Sequence, residues 1–268
     1  QDDLCLPDRL RRQVEVLDRQ PEVVAVGTWV YYIRPDGQRI GVVGMPINDY
    51  GTFLGTLLTS ATPVAHPAVV FRRDAVLAAG GYDETFAPCE DYALWCALAR
   101  RRLSVVTIPE PLVMLRIHEQ QQSQRRAVFQ QHNVHRAHEQ LVGAFCTAQD
   151  GPLVSSLLRM DEAFWVRCRS RQEVRTALEA MDRFLETLRG TFHLSSREAA
   201  NMTHRIHWWF ARGAFVAILR QQRQSLPVYR FSLRGGVRML RYPTVCLYPG
   251  CFLLAGFFAP RVQRVCVN

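Results

Sequence analysis

With 268 residues, the chain is long enough for one large domain or two modest ones, and for a substantial buried core. Hydrophobic residues make up 48% of it and charged residues 21%, a composition that excludes a disordered protein. The formal net charge of +9 favours an anionic partner, such as a nucleotide, a phospholipid surface or a nucleic acid.

The first part of the chain alternates helix and strand patterns, which is typical of an α/β domain. The first pattern predicts a helix after Pro7, with Leu10, Val14 and Leu17 on its apolar face. A strand over 22–33 is predicted next, paired in a hairpin with 39–44. A short helix capped by Asn48 or Asp49 is the last element predicted up to residue 59. The patterns after residue 59 predict a strand over 68–73 and a brief helix that is capped by Asp74 and ended by Gly80-Gly81. They also predict a helix over 91–101 and two short strands around Pro109 and Pro111.

The second part of the chain has a different texture. Segments rich in Arg, Gln, Glu, Ala and Leu predict helices from about residue 120 to about 224. An apolar run over 244–259 follows, flanked by arginines and interrupted by Pro249-Gly250. It is too short to span a bilayer, which leaves a buried core segment or a segment at a membrane surface.

The eight cysteines of the chain show neither a C-x-x-C pair nor a spacing typical of metal ligands. In a chain of this length they indicate reduced thiols in a cytoplasmic protein.

Glu90 and Asp91 form an acidic pair at the start of a predicted helix, ten residues after Gly80-Gly81. Acids at a helix start commonly satisfy free backbone N–H groups and the helix dipole. The other interpretation is a general base that takes a proton from an acceptor hydroxyl, with the glycines allowing the backbone close to a substrate.

A second group of candidates lies at the start of the chain and after the last predicted strand. Asp2 and Asp3 either belong to a frayed terminus or supply oxygen ligands to Mg²⁺ or Mn²⁺. His118 is either an ordinary surface histidine or a ligand of the same cation. Arg116, two residues earlier and on the same strand face, either binds phosphate or is solvated.

Three further histidines, His132, His135 and His138, look like a metal cluster. On a helix the third points about 120° away from the first, so the three do not converge on one ion. We therefore expect no metal there.

Three stretches of the chain carry a resemblance to a known family. They are "QDDLCLPDRLRRQVEVLDRQPEVVAVGTWV", "AHPAVVFRRDAVLAAGGYDETFAPCEDYALWCALARR" and "LVMLRIHEQQQS". In this order they resemble the region around the D-x-D motif, the acceptor-side segment with its x-E-D motif, and the strand with the metal-binding histidine of family 2 glycosyltransferases, which have the GT-A fold. The resemblance covers about residues 1–123.

The resemblance implies roles for individual residues. Asp91 matches the catalytic base and Glu90 stands beside it. Asp2 matches the second aspartate of D-x-D, Asp3 the acid that commonly follows it, and His118 the metal-binding histidine. The substrate-binding residues implied are Gly80, Gly81, Arg116 and His66.

The resemblance also implies the organisation of the chain. Residues 1–123 are expected to be the C-terminal half of a GT-A-type α/β domain, on the metal and acceptor side, followed by a mostly α-helical region over 124–268. The first aspartate of D-x-D and the nucleotide-binding half would precede Gln1. We therefore expect a truncated or split enzyme that does not transfer sugar by itself.

The function implied is transfer of a sugar from a nucleotide-sugar to an acceptor hydroxyl, with inversion and with Mn²⁺ or Mg²⁺. The acceptor is expected to be a glycan or a lipid-linked sugar of a cell-envelope polysaccharide. The protein is expected in the cytoplasm, with a peripheral contact at the inner face of the membrane. The alternatives are a non-catalytic remnant that acts as a scaffold or membrane-associating module and, ranked last, a basic nucleic-acid binder; no nucleic acid beyond the donor nucleotide is expected.

Overall fold

The computed structural model of the protein describes residues 2–59, 62–118, 127–159 and 171–219. Within these ranges the chain forms five strands and eight α-helices. The strands are β1 (Leu4–Cys5), β2 (Val23–Ile33), β3 (Arg39–Val43), β4 (Val69–Phe71) and β5 (Ser104–Arg116). The helices are α1 (Arg9–Arg19), α2 (Tyr50–Thr59), α3 (Arg73–Ala78), α4 (Glu90–Arg100), α5 (Ala127–Gly143), α6 (Asp150–Arg159), α7 (Arg171–Thr191) and α8 (Ser196–Leu219).

The five strands form one mixed sheet with β2 and β5 at its centre. These two long strands are parallel, and their pairing runs from Val23 opposite Ser104 to Ile33 opposite Arg116. The other edge of β2 pairs antiparallel with β4 and then with β3, and β1 pairs antiparallel with β5. The predicted α/β class and the predicted hairpin of β2 and β3 are confirmed.

The region around Pro109 and Pro111 differs from the prediction, because β5 is one strand instead of two. Opposite Thr28 and Trp29, the pairing on β5 jumps from Ile108 to Pro111. Proline has no N–H to give to a ladder, so the sheet accommodates the prolines with a bulge and then continues.

The apolar face predicted for α1 is also wrong in part. Leu17 is buried, but Leu10 and Val14 are 61% and 45% exposed. The buried face instead carries Arg9 and Gln13, which donate hydrogen bonds to backbone carbonyls of the sheet and of the segment before β4. Buried carbonyls need donors, and these polar side chains supply them.

Two predicted helix caps have different outcomes. Asp49 caps α2, since its Oδ1 accepts the N–H of Thr52 at 2.8 Å. Asp74 does not cap α3: the helix begins at Arg73, Arg72 is the N-cap residue, and Asp74 lies in the first turn. The N–H of Arg72 donates to the carbonyl of Val24, so the sheet holds the start of this helix.

The helical second part of the chain packs directly against the first. One hydrophobic cluster contains residues of α2 and α4 together with residues of α5 to α8. Helix α8 lies so close along α2 that a Cβ on Gly51 would be 2.1 Å from the carbonyl oxygen of Glu198. Glu198 also forms an ion pair with Arg102, at 2.7 and 2.9 Å from its Nη2. The boundary predicted at residue 123 stays a prediction.

The helices predicted between residues 120 and 224 are confirmed within the described residues. Across those same ranges, no helix is both long and apolar enough to cross a bilayer. The apolar run over 244–259 lies outside the described residues. The cysteines that the structure describes are free thiols: Cys5, Cys89, Cys96 and Cys146.

Candidate active site

Five side chains lie around the start of α4, and we call them the carboxylate–aromatic cluster: His66, Tyr82, Glu90, Asp91 and Trp95. His66 comes from the 3-10 turn before β4, Tyr82 from the loop after α3, and the other three from α4 itself. The cluster therefore draws on segments that are separate in sequence and adjacent in the fold.

His66 is the centre of the aromatic part of this cluster. Its Nε2 lies 2.8 Å from the hydroxyl of Tyr82, a hydrogen bond whose donor depends on the imidazole tautomer. The two rings meet edge to face at 5.7 Å, and the ring of Trp95 lies 6.2 Å from His66. Trp95 is fully buried, and its indole N–H has no hydrogen-bond partner among the described residues.

Asp91 is the partly buried carboxylate of the cluster, whereas Glu90 is exposed. Burial raises the pKa of Asp91, and the charge of Glu90 acts in the same direction. The N–H of Tyr92, which donates to Oδ1 of Asp91 at 2.8 Å, and the nearby His66 act to lower this pKa without outweighing burial. A carboxyl group with a raised pKa accepts a proton more readily than an ordinary aspartate.

Gly80 and Gly81 end α3 and form the turn that leads directly into Tyr82. The N–H of Gly81 donates to the carbonyl of Val76 and that of Gly80 to the carbonyl of Leu77, which is the Schellman arrangement. Both glycines have positive φ, 108° and 67°, which disfavours any side chain there. The pair thus has a structural reason of its own: it positions Tyr82.

Helix α5 holds the loop that leads into Asp91. Nδ2 of Asn133 donates to the carbonyl of Ala87 at 2.7 Å, and Arg136 donates to the carbonyl of Thr85. The guanidinium of Arg136 also lies 4.2 Å from the ring centre of Phe86. The second part of the chain therefore supports the loop before α4.

The second group of predicted residues meets at the carboxyl end of β5, and we call it the strand-end cluster: Asp2, Asp3, Arg116 and His118. Oδ2 of Asp2 lies 2.9 Å from Nε2 of His118, and both side chains are partly exposed. The roles that the resemblance implies for Asp2 and His118 require the two side chains to lie close together, and they are in contact.

Asp3 and Arg116 are engaged with the backbone of the same region. Oδ1 of Asp3 accepts the backbone N–H of Arg116 at 2.9 Å. The guanidinium of Arg116 donates to the carbonyls of Asp2, Arg34 and Pro35. Arg116 therefore connects the start of the chain to the segment that follows β2.

The strand-end cluster offers a cation one carboxylate oxygen and one imidazole nitrogen that already converge. In the described part of the chain, no group of three or more His, Cys, Asp or Glu side chains is placed to hold a metal. The two donors of Asp2 and His118 fit a cation that takes its remaining ligands from phosphate oxygens and water.

His138 on α5 belongs to neither cluster. It is buried and hydrogen-bonded to Ser155 and to the carbonyl of Leu58, and these contacts account for its burial without a metal.

Tyr82 was not among the site residues predicted from the sequence. It directly follows the two glycines in "GGYDE", so its position on the turn was readable, but its partner is 16 residues away. Only the fold shows that the turn carries Tyr82 to His66.

Comparisons with known proteins indicate a class of function. No protein-family model matches the chain. Over 126 residues, 47% of this chain, it is 32% identical to the amylovoran biosynthesis glycosyltransferase AmsE of Erwinia amylovora. Over 139 residues, 48% of this chain, it is 32% identical to an uncharacterized glycosyltransferase of Haemophilus influenzae. The matched regions span 46% and 47% of these relatives, about half of their length. Both similar proteins are named as glycosyltransferases, and sugar transfer is the class of function they support.

Proposed function

We propose that this chain is part of a family 2 glycosyltransferase with a GT-A-type domain, which transfers a sugar from a nucleotide-sugar to an acceptor hydroxyl with inversion. The observation that carries the proposal is Asp91, a partly buried carboxylate at the first turn of α4 with its pKa raised by burial. The two glycosyltransferase relatives support the same class.

In the proposed reaction, the acceptor oxygen attacks the anomeric carbon as the bond from that carbon to the diphosphate breaks. The acceptor proton passes to the carboxylate of Asp91, and the nucleoside diphosphate leaves with the bonding electron pair. A carboxylate held against an acceptor hydroxyl in this way acts as a general base. Glu90, exposed on the same turn, would position the acceptor by binding a neighbouring hydroxyl.

A divalent cation, Mn²⁺ or Mg²⁺, belongs to the proposal at the strand-end cluster. Asp2 and His118 would hold it, and when bound it would neutralise charge on the departing diphosphate. Asp3, through its hydrogen bond with Arg116, keeps the short strand β1 beside the end of β5. These contacts support the proposed positions of the two ligands.

The two alternative functions, a non-catalytic scaffold and a nucleic-acid binder, have less support. A non-catalytic scaffold gives no reason to keep Asp91 in surroundings that disfavour its charge, so it is not favoured. For a nucleic-acid binder, the two similar proteins offer no support. A peripheral contact with the membrane and an acceptor on a lipid or a glycan remain parts of the proposal, and AmsE is a protein of amylovoran biosynthesis.

The experiment is release of nucleoside diphosphate from a panel of nucleotide-sugars by the protein that carries this chain. We expect release with at least one donor, dependent on Mn²⁺ or Mg²⁺ and lost in Asp91→Asn. Release that Asp91→Asn leaves unchanged would exclude Asp91 as the base. The same assay on residues 1–268 tests the prediction that this chain does not transfer sugar by itself.

A further inference from the structure

Tyr82 is a large aromatic side chain that the fold leaves accessible beside two carboxylates. It is 41% exposed. The charges of Asp91 and Glu90 are close enough to act on its pKa, which burial and both carboxylates raise. The geometry agrees, because Tyr82 contacts His66, whose ring lies 6.2 Å from that of Trp95, one turn after Asp91 on α4. The exposed phenol ring and the two carboxylates therefore lie within one small area.

The position of this ring is fixed from two sides. The Schellman turn of Gly80 and Gly81 sets the backbone, and the hydrogen bond to His66 holds the hydroxyl. The imidazole is in turn packed beside the buried ring of Trp95. A ring that is already ordered loses little conformational entropy when a ligand lies on it.

The geometry points to Tyr82 as the binding surface for the acceptor sugar: one face of a pyranose ring lies on the phenol ring while its hydroxyls reach Asp91 and Glu90. The proposal rests on the function proposed above and names the chemistry by which its acceptor is recognised. His66 is a positioning residue in this arrangement, acting through Tyr82.

The match between ligand and site is chemical. A pyranose has C–H groups on its faces and hydroxyls around its edge, so it needs an apolar surface next to hydrogen-bond acceptors. Aromatic rings offer the apolar surface, and carboxylates accept hydrogen bonds from hydroxyls. A nucleotide or a free phosphate, in contrast, would be repelled by the two acids.

The test is saturation-transfer-difference NMR with simple sugars as probes, without donor. The probes are methyl β-D-glucopyranoside, methyl β-D-galactopyranoside and methyl α-D-mannopyranoside. We expect transfer to the C–H protons of at least one, and an increase of about tenfold in its dissociation constant in Tyr82→Ala. Tyr82→Phe keeps the ring and loses only the hydroxyl, so its constant should stay within about threefold of the parent.

The control is Leu10→Ala, which removes an exposed apolar side chain from α1 and should leave the signal unchanged. No transfer to any probe, or equal transfer in Tyr82→Ala and the parent, would overturn the inference. Because the experiment contains no donor, a failure of the proposed function shows up separately, as no release of nucleoside diphosphate while probe binding persists.

Discussion

Oδ2 of Asp2 and Nε2 of His118 lie 2.9 Å apart, although the two residues are at opposite ends of the α/β part of the chain. Antiparallel pairing of β1 with the end of β5 brings them together. A carboxylate and an imidazole in contact form either a hydrogen-bonded pair or two ligands of one cation. A metal titration separates these interpretations.

The first prediction concerns that titration. Adding Mn²⁺ should broaden the ring NMR signals of His118 before those of His132, because a paramagnetic ion affects the nuclei nearest to it. Asp2→Asn should remove this preference by deleting one of two ligands. Acid should weaken the effect, since metal ligands must be deprotonated.

His132 is the internal control, because it is exposed on α5 and the three histidines of this helix do not converge on one ion. Equal broadening of both histidines, or broadening of His118 that Asp2→Asn does not change, would contradict a cation at the strand-end cluster.

The second prediction separates the catalytic from the capping interpretation of Asp91. Asp91→Asn should lower turnover by about 10²-fold or more, because asparagine accepts no proton. The variant should nevertheless be at least as stable as the parent at neutral pH, since its amide oxygen can still accept the N–H of Tyr92 and it buries no charge. Thermal unfolding and initial rates measure the two effects.

The pH dependence of the same variant follows from the raised pKa. The folded protein holds the proton of Asp91 more tightly than the unfolded chain, where the pKa is near 3.8. As pH rises from that value through the folded pKa, the parent loses stability. Asp91→Asn lacks this loss, so its stability relative to the parent should rise over that window and then level off. A relative stability that falls instead would show that the charge stabilises the fold.

The third prediction concerns the loop that α5 holds. Asn133→Ala or Arg136→Ala should lower turnover by about tenfold, because a small displacement of a catalytic group is costly. Hydrogen exchange of the amides over 84–91 should rise at the same time. Gln131→Ala, an exposed change on the same helix, is the matched control. Faster exchange without a loss of turnover would mean that the loop does not position Asp91.

The fourth prediction tests whether the two parts of the chain form one cooperative unit. Gly51→Ala should lower the free energy of unfolding by about 3 kcal/mol or more, because its Cβ would overlap the backbone of α8. Gly143→Ala, at the end of α5 where a Cβ meets nothing within 4 Å, should be neutral within about 1 kcal/mol. Differential scanning calorimetry should give a single transition that Gly51→Ala shifts as a whole. Two transitions, only one of them shifted, would favour independent domains.

Local sequence signals predicted the elements that local interactions determine. The apolar β-branched run of β2 reads as a buried strand, and Gly80-Gly81 reads as a helix end, because each signal lies within a few neighbouring residues. The acidic pair at the start of α4 was visible for the same reason. What these residues do in the site depends on their partners.

Long-range contacts explain what the sequence did not reveal. The polar buried face of α1 depends on carbonyls more than 50 residues away from Arg9 and Gln13, apart from that of Val26. The pairing of Tyr82 with His66 likewise joins residues 16 positions apart in the sequence. No periodicity in the sequence encodes such contacts. A helical wheel therefore assigns part of the buried face of α1 wrongly, and local patterns give no sign of the contact between Tyr82 and His66.

The parallel pairing of β2 with β5 has a consequence for how the protein folds. Parallel neighbours require a crossover, and here residues 34–103 form it, including His66, Tyr82 and Asp91. The two ends of this crossover come together only when β2 pairs with β5, which is distant in sequence. Such non-local contacts form slowly, because closing the loop costs entropy before the contacts stabilise the fold. We therefore expect the candidate active site to be among the last regions to reach its native arrangement during refolding, after the helices have formed.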